Sequence, residues 1–295
     1  MIYGITGNTQ KDKLWKPTSE LASWLSREGI PFRLNKRVSE GLSERGLLDA
    51  ETCMTRASDD LAGDSEIILS FGGDGTMLMS AHEVGTRETP ILGINIGRLG
   101  FLADIEVGQV RSAVQSLEAG NYRIEERLPL AATLSGSDGV QSHWALNEFV
   151  LERSGSAGLI SIRVMVDGVH MNDYWTDGLI ISTPTGSTAY SMSVGGPIVA
   201  PGSDVVILTP LAPHSLTVRP IVLPASSTIE AEVLHDDQTY LLAYDGRSRT
   251  FEPDENPVGF RFTRADHHVR LVKLPEQHYF QTLRSKLMWG VLGHQ

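Results

Sequence analysis

Two short passages concentrate the residue types that chemistry needs. In the first, Gly72, Gly73, Asp74, Gly75 and Thr76 follow the apolar run of Ile67, Ile68, Leu69 and Phe71. The glycines allow main-chain torsions closed to other residues and let amides approach a ligand with no Cβ in the way. A helix starting near Thr76 would aim free amides and a positive dipole end at that ligand, which suits phosphate. Asp74, set among such amides, is a poor phosphate ligand but a good proton acceptor or metal ligand. Asp before Gly at a helix start is equally an ordinary N-cap. In the second passage, Asp177 and Gly178 precede a strand that Pro184 and Gly186 break, crowding Ser187, Thr188, Tyr190, Ser191 and Ser193 together. Such a run offers neutral donors and acceptors for hydroxyls and an amide, although a Ser/Thr-rich helix start without a ligand reads the same way. Between the passages Asn147 and Glu148 sit side by side in a β run, either a ribose grip or a cross-strand polar pair.

The elements that must position these groups follow from hydrophobic spacing. A strand over Ile2 to Ile5 precedes a helix beginning at Pro17, with Leu21, Trp24 and Leu25 on one face and Gly29 as its end. A strand near Phe32 to Leu34 comes next, then a polar, acidic segment from Val38 to Asp64 that reads as a solvated cover. After the central strand and glycine turn come a helix through Met77 to Val84, a strand ending at Asn95, the loop Gly97 to Ile105, and a helix carrying Val110, Val114 and Leu117. This alternation predicts an α/β domain with a parallel, doubly wound, Rossmann-like sheet over residues 1–124. From Tyr122 to about Val272 repeated short runs separated by Gly, Asp, Ser or Pro predict an antiparallel β-rich domain over residues 125–272. Residues 273–295 carry a closing helix from Glu276 to Trp289, with Phe280, Leu283 and Leu287 at helical spacing, expected to pack back on the first domain.

Composition and missing motifs narrow the chemistry. A formal charge of -11 argues against a surface that holds nucleic acid by neutralising phosphates. The single cysteine, Cys53, rules out an intrachain disulfide and a thiolate metal cage and fits a reducing compartment. With no secretory leader and no apolar run long enough to span a bilayer, the expectation is a cytoplasmic protein without a membrane partner. The glycines at 93, 97 and 100 have the wrong spacing for Gly-x-Gly-x-x-Gly, and no glycine precedes a lysine as a Walker loop requires. A Gly-x-Ser-x-Gly elbow is also absent, and His82-Glu83 is not completed to a zinc motif. No metal-ligand set is assigned.

GGDGT at Gly72–Thr76, Asn147 with Glu148, and TPTGSTAY at Thr183–Tyr190, in this order and at these separations, resemble NAD kinases of the bacterial type. Asn95 to Asp104 (NIGRLGFLAD) and the run from Gly195 to Leu216 extend the resemblance. It implies transfer of the ATP γ-phosphoryl group to the adenosine ribose 2′-hydroxyl of NAD, with a divalent metal, Mg²⁺ by expectation, in a homodimer or homotetramer. Carried over by motif, Asp74 is the implied general base, and Gly73 and Gly75 line the phosphates. Asn147 and Glu148 bind the ribose, and Asp177 holds the nicotinamide side. Thr188, Ala189, Tyr190 and Ser193 frame the adenine with Phe101 near it, and Ala212 and Arg247 complete the substrate-binding set. Without a Walker lysine, the charge of transfer falls to the metal, turn amides and arginines such as Arg98 and Arg247. Trp175 stands where the family frequently has Arg or Lys, which leaves NAD against NADH preference open. The competing readings are a non-catalytic NADP(H) sensor and a GGDGT lipid kinase; the second leaves TPTGSTAY unexplained and lacks a basic amphipathic helix.

Overall fold

The computed structural model describes residues 1–136, 139–155, 158–234, 239–252 and 258–288. It forms two compact units, one of Met1–Glu126 with Val269–Gln295 and one of Arg127–His268. Among the described residues the first unit is built on an eight-stranded sheet. Ile67–Gly72 lies near its middle and is buried along its whole length, Ser70 included, so it does not alternate between apolar and polar residues. Tyr3–Gly7 and Ile91–Asn95 pair with it on either side, both parallel. Phe32–Asn35 and then Ala57–Ser58 continue the sheet beyond Tyr3–Gly7. Ile105–Glu106 pairs with Ile91–Asn95, and beyond that strand the sheet runs on through Val269–Lys273 to Arg123–Arg127. The expected α/β domain with a parallel, doubly wound sheet is what the chain forms.

Two differences from expectation have physical causes. The Val38 to Asp64 segment is not a mere cover: it folds as helices Lys36–Glu44 and Ala50–Arg56 and the strand Ala57–Ser58. Val38 and Leu42, one turn apart, and Cys53 enter the core, so a thin apolar face suffices. Asn35 and Asp49 accept hydrogen bonds from the amides of Arg37 (3.1 Å) and Thr52 (2.7 Å) and start the two helices. Secondly, Val269–Lys273 joins the first sheet, with Leu271 beside Ile91, instead of closing the β domain as its place before residue 272 suggested. A strand's own pattern does not say which sheet it joins. Here its burial is completed by Lys273, whose Nζ meets Asp104 Oδ2 at 2.7 Å with both side chains under a tenth exposed.

The second unit is the expected antiparallel β domain. Among the described residues, one six-stranded sheet runs in the order Ile221–Pro224, Val205–Leu211, Gly178–Ser182, Glu148–Arg153, Tyr240–Tyr244 and Arg247–Phe251. The other runs Val169–Thr176, Ile160–Val166, Ile229–Leu234, Gly259–Arg264, Leu130–Gly136 and Gly139–Ala145. Alternate residues of both, such as Phe149, Leu151, Ile181 and Leu242 from the first and Ile162, Val164, Phe260 and Phe262 from the second, share one core. Phe149 meets Phe262 across it with ring centroids 5.3 Å apart. Glu148–Arg153 and Gly178–Ser182 are therefore inner strands of one sheet, which fixes the polar residues at their ends.

Candidate functional site

In the first unit the sheet order changes direction between Tyr3–Gly7 and Ile67–Gly72, and open α/β sheets take ligands outside the carboxyl ends of strands at such a point. The loops leaving these two strands are Asn8 to Gln10 and the glycine turn. Asn8 donates its amide to the Phe71 carbonyl at 3.3 Å, which holds the first loop against the second strand. A cavity of about 180 Å³ lies there, bordered by Asn8, Arg37, Met79 and Glu83 among others. The helix after the turn spans Asp74–Val84 with Gly73 as its N-cap, in extended conformation. It thus starts two residues before Thr76. The Thr76 and Met77 amides donate to the Gly73 carbonyl at 2.9 and 3.1 Å. A side chain on Gly72 would strike Thr76 Oγ1 at 2.1 Å, whereas side chains on Gly73 and Gly75 would enter open space. One glycine is there for packing and two leave a face uncovered.

Asp74 does not cap its helix. Its carboxylate reaches across to the loop of the NIGRLGFLAD motif, where Oδ2 accepts the Phe101 amide at 3.0 Å and Oδ1 those of Leu102 at 2.9 Å and Ala103 at 3.3 Å. The close approach depends on Gly100, where a Cβ would lie 2.0 Å from Asp74 Oδ1. The loop itself is held by the Asp104–Lys273 pair and by packing of Ala103 against Gly93, where a Cβ would lie 2.7 Å from the Ala103 Cα. A fourth donor, Lys286 Nζ, stands 3.0 Å from Oδ2 and 4.4 Å from the centre of the Phe101 ring. Burial alone would lift the Asp74 carboxyl, but the amides of Phe101 and Leu102 and the Lys286 ammonium outweigh it and hold the group below the usual carboxylate range. The result is an ionised, aimed carboxylate at an open glycine turn.

In the second unit Asn147, Glu148 and the Thr183–Tyr190 segment meet at the start of Glu148–Arg153, while Asp177 lies at its other end beside Arg153. The Asp245 carboxylate accepts the amides of Leu146 (2.6 Å) and Asn147 (2.9 Å). The Asn147 carbonyl accepts the Thr183 amide at 2.9 Å, and Thr183 Oγ1 donates to the Leu146 carbonyl at 2.6 Å. Gly186 is required here, since a Cβ would strike the Asn147 carbonyl oxygen at 2.3 Å. Glu148 lies opposite Ser182 in the ladder. Burial, and then the negative charge of Asp245, push its carboxyl up to about 8, with the Tyr190 amide pulling the other way. Glu148 is therefore protonated at neutral pH, and its Oε2 is buried with no hydrogen-bond partner among the described residues. Asp177 is paired with Arg153 Nε at 2.6 Å and, with Glu152, lies close enough to Tyr190 to help push the phenol up after burial.

Thr188, Ala189, Tyr190 and Ser193 follow one another through a 3-10 turn, Gly186–Thr188, and a single helical turn, Tyr190–Ser193. Tyr190 is 40% exposed, so a flat ring stands at the surface beside this turn. Ala212 takes a left-handed conformation at φ 43 just past Val205–Leu211, an unusual place for alanine. Arg247 opens the strand after a hairpin in which Asp245 and Gly246 have φ 44 and 80, and it is exposed. The structure thus joins Asn147, Glu148 and the Thr183–Tyr190 segment in one cluster, while Ala212 and Arg247 stand at strand ends of the same unit. Sequence reasoning missed Asp245, Arg153 and Lys286. Asp245 had a signal, being the residue before glycine in a hairpin; the Lys286 contact with Asp74, 212 residues away, had none.

Profiles of two families match the chain: "ATP-NAD kinase N-terminal domain" over residues 3–122 and "ATP-NAD kinase C-terminal domain" over residues 146–274. The NAD kinase of Bacteroides fragilis is 38% identical over 294 residues, covering 98% of each chain. That of Geobacter metallireducens is 39% identical over 274 residues, covering 92% of each. Among solved structures, yeast NADH kinase complexed with NADH superposes with a TM-score of 0.87 at 24% identity, over 100% of this chain and 89% of the other. An NAD kinase from Archaeoglobus fulgidus in complex with ATP superposes with a TM-score of 0.70 at 23% identity, over 98% and 99%. The two structural likenesses concern the fold, whereas the two profiles cover most of the chain and the sequence relatives nearly all of it, so this chain belongs to the NAD kinase family.

Proposed function

We propose that this chain transfers the γ-phosphoryl group of ATP to the adenosine ribose 2′-hydroxyl of NAD, giving NADP. The observation that carries the proposal is the Asp74 carboxylate, held ionised at an open glycine turn beside the topological switch of the sheet. In this reading Asp74 accepts the hydroxyl proton as the oxygen attacks phosphorus, a contribution of roughly 10²- to 10⁴-fold in rate. Gly73 and Gly75, unobstructed, let the triphosphate approach the helix N-terminus. Asn147 and Glu148 bind the ribose, and the protonated Glu148 does so as a hydrogen-bond donor, which an ionised carboxylate cannot be. Asp177 takes the nicotinamide side. Thr188, Ala189, Tyr190 and Ser193 frame the adenine, where the exposed Tyr190 ring offers a stacking face. Phe101, Ala212 and Arg247 complete the contacts.

A divalent metal belongs to the proposal as well. Among the described residues no group of three or more His, Cys, Asp or Glu could hold one. Mg²⁺, however, is usually held by one or two carboxylates, water and substrate phosphates, and the single carboxylate at the turn fits that habit. Asp74 is the carboxylate that would face the ion, and the ion would supply charge neutralisation on the triphosphate. No helix among the described residues is long and apolar enough to cross a membrane, and we place the protein in the cytoplasm as a homodimer or homotetramer. The test is direct: purified protein with NAD, ATP and Mg²⁺ forms NADP. Tight NADP binding without NADP formation would turn the assignment to a sensor, and transfer to a lipid hydroxyl would turn it to a lipid kinase.

A further inference from the structure

The Asp74 carboxylate has about four acceptor positions, and four donors fill them. Three are main-chain amides, of Phe101, Leu102 and Ala103, which the Gly100 turn and the Asp104–Lys273 pair hold in place. The fourth is Lys286 Nζ at 3.0 Å, an ammonium on a flexible four-carbon stem. A hydroxyl that gives its proton to Asp74 must take one of these positions, and only the lysine can leave without unfolding the loop. There is also a charge to meet. Phosphoryl transfer brings a polyanion to a carboxylate, yet the strand, turn and helix from Ile67 to Val84 contain no Lys or Arg. The nearest arginine in sequence, Arg87, is paired with Asp60, and Arg98 is exposed in the loop.

We propose that Lys286 is a further catalytic residue: the cation that Asp74 holds in the free chain, and that meets the phosphoryl oxygens once the acceptor hydroxyl has replaced it on the carboxylate. The inference rests on Asp74 being the base. The surroundings of Lys286 suit an exchange over a short distance. Its ammonium lies 4.4 Å from the centre of the Phe101 ring, so the aromatic face retains the cation when the carboxylate lets go. Its helix, Tyr279–Leu287, buries only Leu283 among its residues. That helix borders a cavity of about 330 Å³ through Gln281, Thr282 and Ser285. The turn before it is anchored, since Arg123 donates to the Leu274 carbonyl at 3.0 Å and the Gln277 carbonyl at 2.7 Å. The helix is therefore fixed at its start and loosely packed towards Lys286. In the step itself the ribose oxygen forms its bond to phosphorus while the bond from phosphorus to the β,γ-bridging oxygen breaks. ADP leaves with that electron pair, the hydroxyl proton passes to Asp74, and Lys286 takes no part in the proton transfer.

The test compares Lys286→Met, which keeps the stem and a good helix former, with Lys286→Arg, Asp74→Asn and the double variant Asp74→Asn/Lys286→Met, in steady-state assays with NAD and ATP. Lys286→Met is expected to lose about 10²-fold in kcat, the scale for removing one preorganised charge or donor. Its KM for NAD stays within about threefold or falls, because the position on Asp74 is vacated. Lys286→Arg is expected to recover most of the lost kcat. The double variant is expected to fall below either single one, because the lysine acts on the phosphoryl group and not only through Asp74. A kcat for Lys286→Met within threefold of the parent overturns the proposal, and so does a double variant no slower than Asp74→Asn. Full turnover in Asp74→Asn with a depressed Lys286→Met overturns instead the reading of Asp74 as base. Thermal unfolding of each variant separates loss of fold from loss of chemistry, and Lys286→Gln repeats the comparison should the methionine variant not fold.

Discussion

Two carboxylates, one in each unit, are buried to similar effect and end in opposite charge states. Asp74 receives three amides and an ammonium, and these overcome the cost of burial and hold it below the usual carboxylate range. Glu148 receives one amide, that of Tyr190, and faces the negative Asp245, so burial wins and its carboxyl rises to about 8. The difference lies in the loops rather than in the residue types: a glycine at 100 lets a run of amides close on Asp74, whereas the amides of Leu146 and Asn147 next to Glu148 are spent on Asp245. Carboxyls whose surroundings drive them apart are how one fold obtains an acceptor and a donor at the same pH. Here the acceptor is suited to taking a hydroxyl proton and the donor to gripping a sugar oxygen.

The comparison breaks most visibly at Asp74. Asp74→Asn is expected to keep NAD affinity within a small factor while kcat falls by roughly 10²- to 10⁴-fold, read from initial rates of NADP formation and from NAD binding. Unchanged turnover would mean that the ionised carboxylate is structural. Gly100→Ala attacks the same group from outside. Its methyl would sit 2.0 Å from Asp74 Oδ1, so the carboxylate must leave its amides, and a kcat loss of about 10²-fold with a lower thermal midpoint is expected.

The smallest effect, and the sharpest on charge state, is Glu148→Gln. A protonated carboxyl and a carboxamide are both neutral donors, so kcat at pH 7 should stay within about threefold. The two should part as pH rises. Because the folded value of about 8 exceeds the ordinary 4.5, the folded chain holds this proton more tightly than the unfolded chain between those values. Glu148 therefore costs stability as pH climbs through that window. The thermal midpoints of parent and Glu148→Gln should coincide near pH 4.5 and diverge by pH 8 in favour of the variant. Parallel midpoints across the range would show that Glu148 is ionised and ordinary. Asp74 has the reverse sign: its folded value is depressed, so its contribution is present above the ordinary carboxylate range and lost as pH falls through the folded value.

Much of this was legible in the sequence, and the remainder was hidden for identifiable reasons. The apolar residues Ile67, Ile68, Leu69 and Phe71 and the glycine stop after them announced a buried parallel strand and a ligand turn, because both depend on local spacing. The antiparallel domain was legible in the same way, from short runs and turn residues. What spacing could not reveal was partnership. Nothing in Val269, Leu271 and Val272 says that their strand leaves the β unit and lies beside Ile91–Asn95. Nor does a polar stretch with few apolar residues announce that Val38, Leu42 and Cys53 enter the core. At the site, Asp74 could be named from its motif, but its capping role could be dismissed only once Gly73 was seen to hold the N-cap position. Of the apolar residues at helical spacing in the closing helix, Leu283 is buried and Phe280 is 58% exposed, while Trp289, the helix's expected end, lies outside the described residues.

The most direct test of the central claim is a structure with NAD bound, in which one distance is read: Asp74 Oδ to the adenosine ribose 2′-oxygen. The account predicts hydrogen-bond reach, about 2.6–3.2 Å, with the lysine ammonium moved off the carboxylate. A ribose hydroxyl far from Asp74, with the carboxylate still enclosed by its amides and Lys286 and neither water nor cation bridging to the sugar, would contradict it.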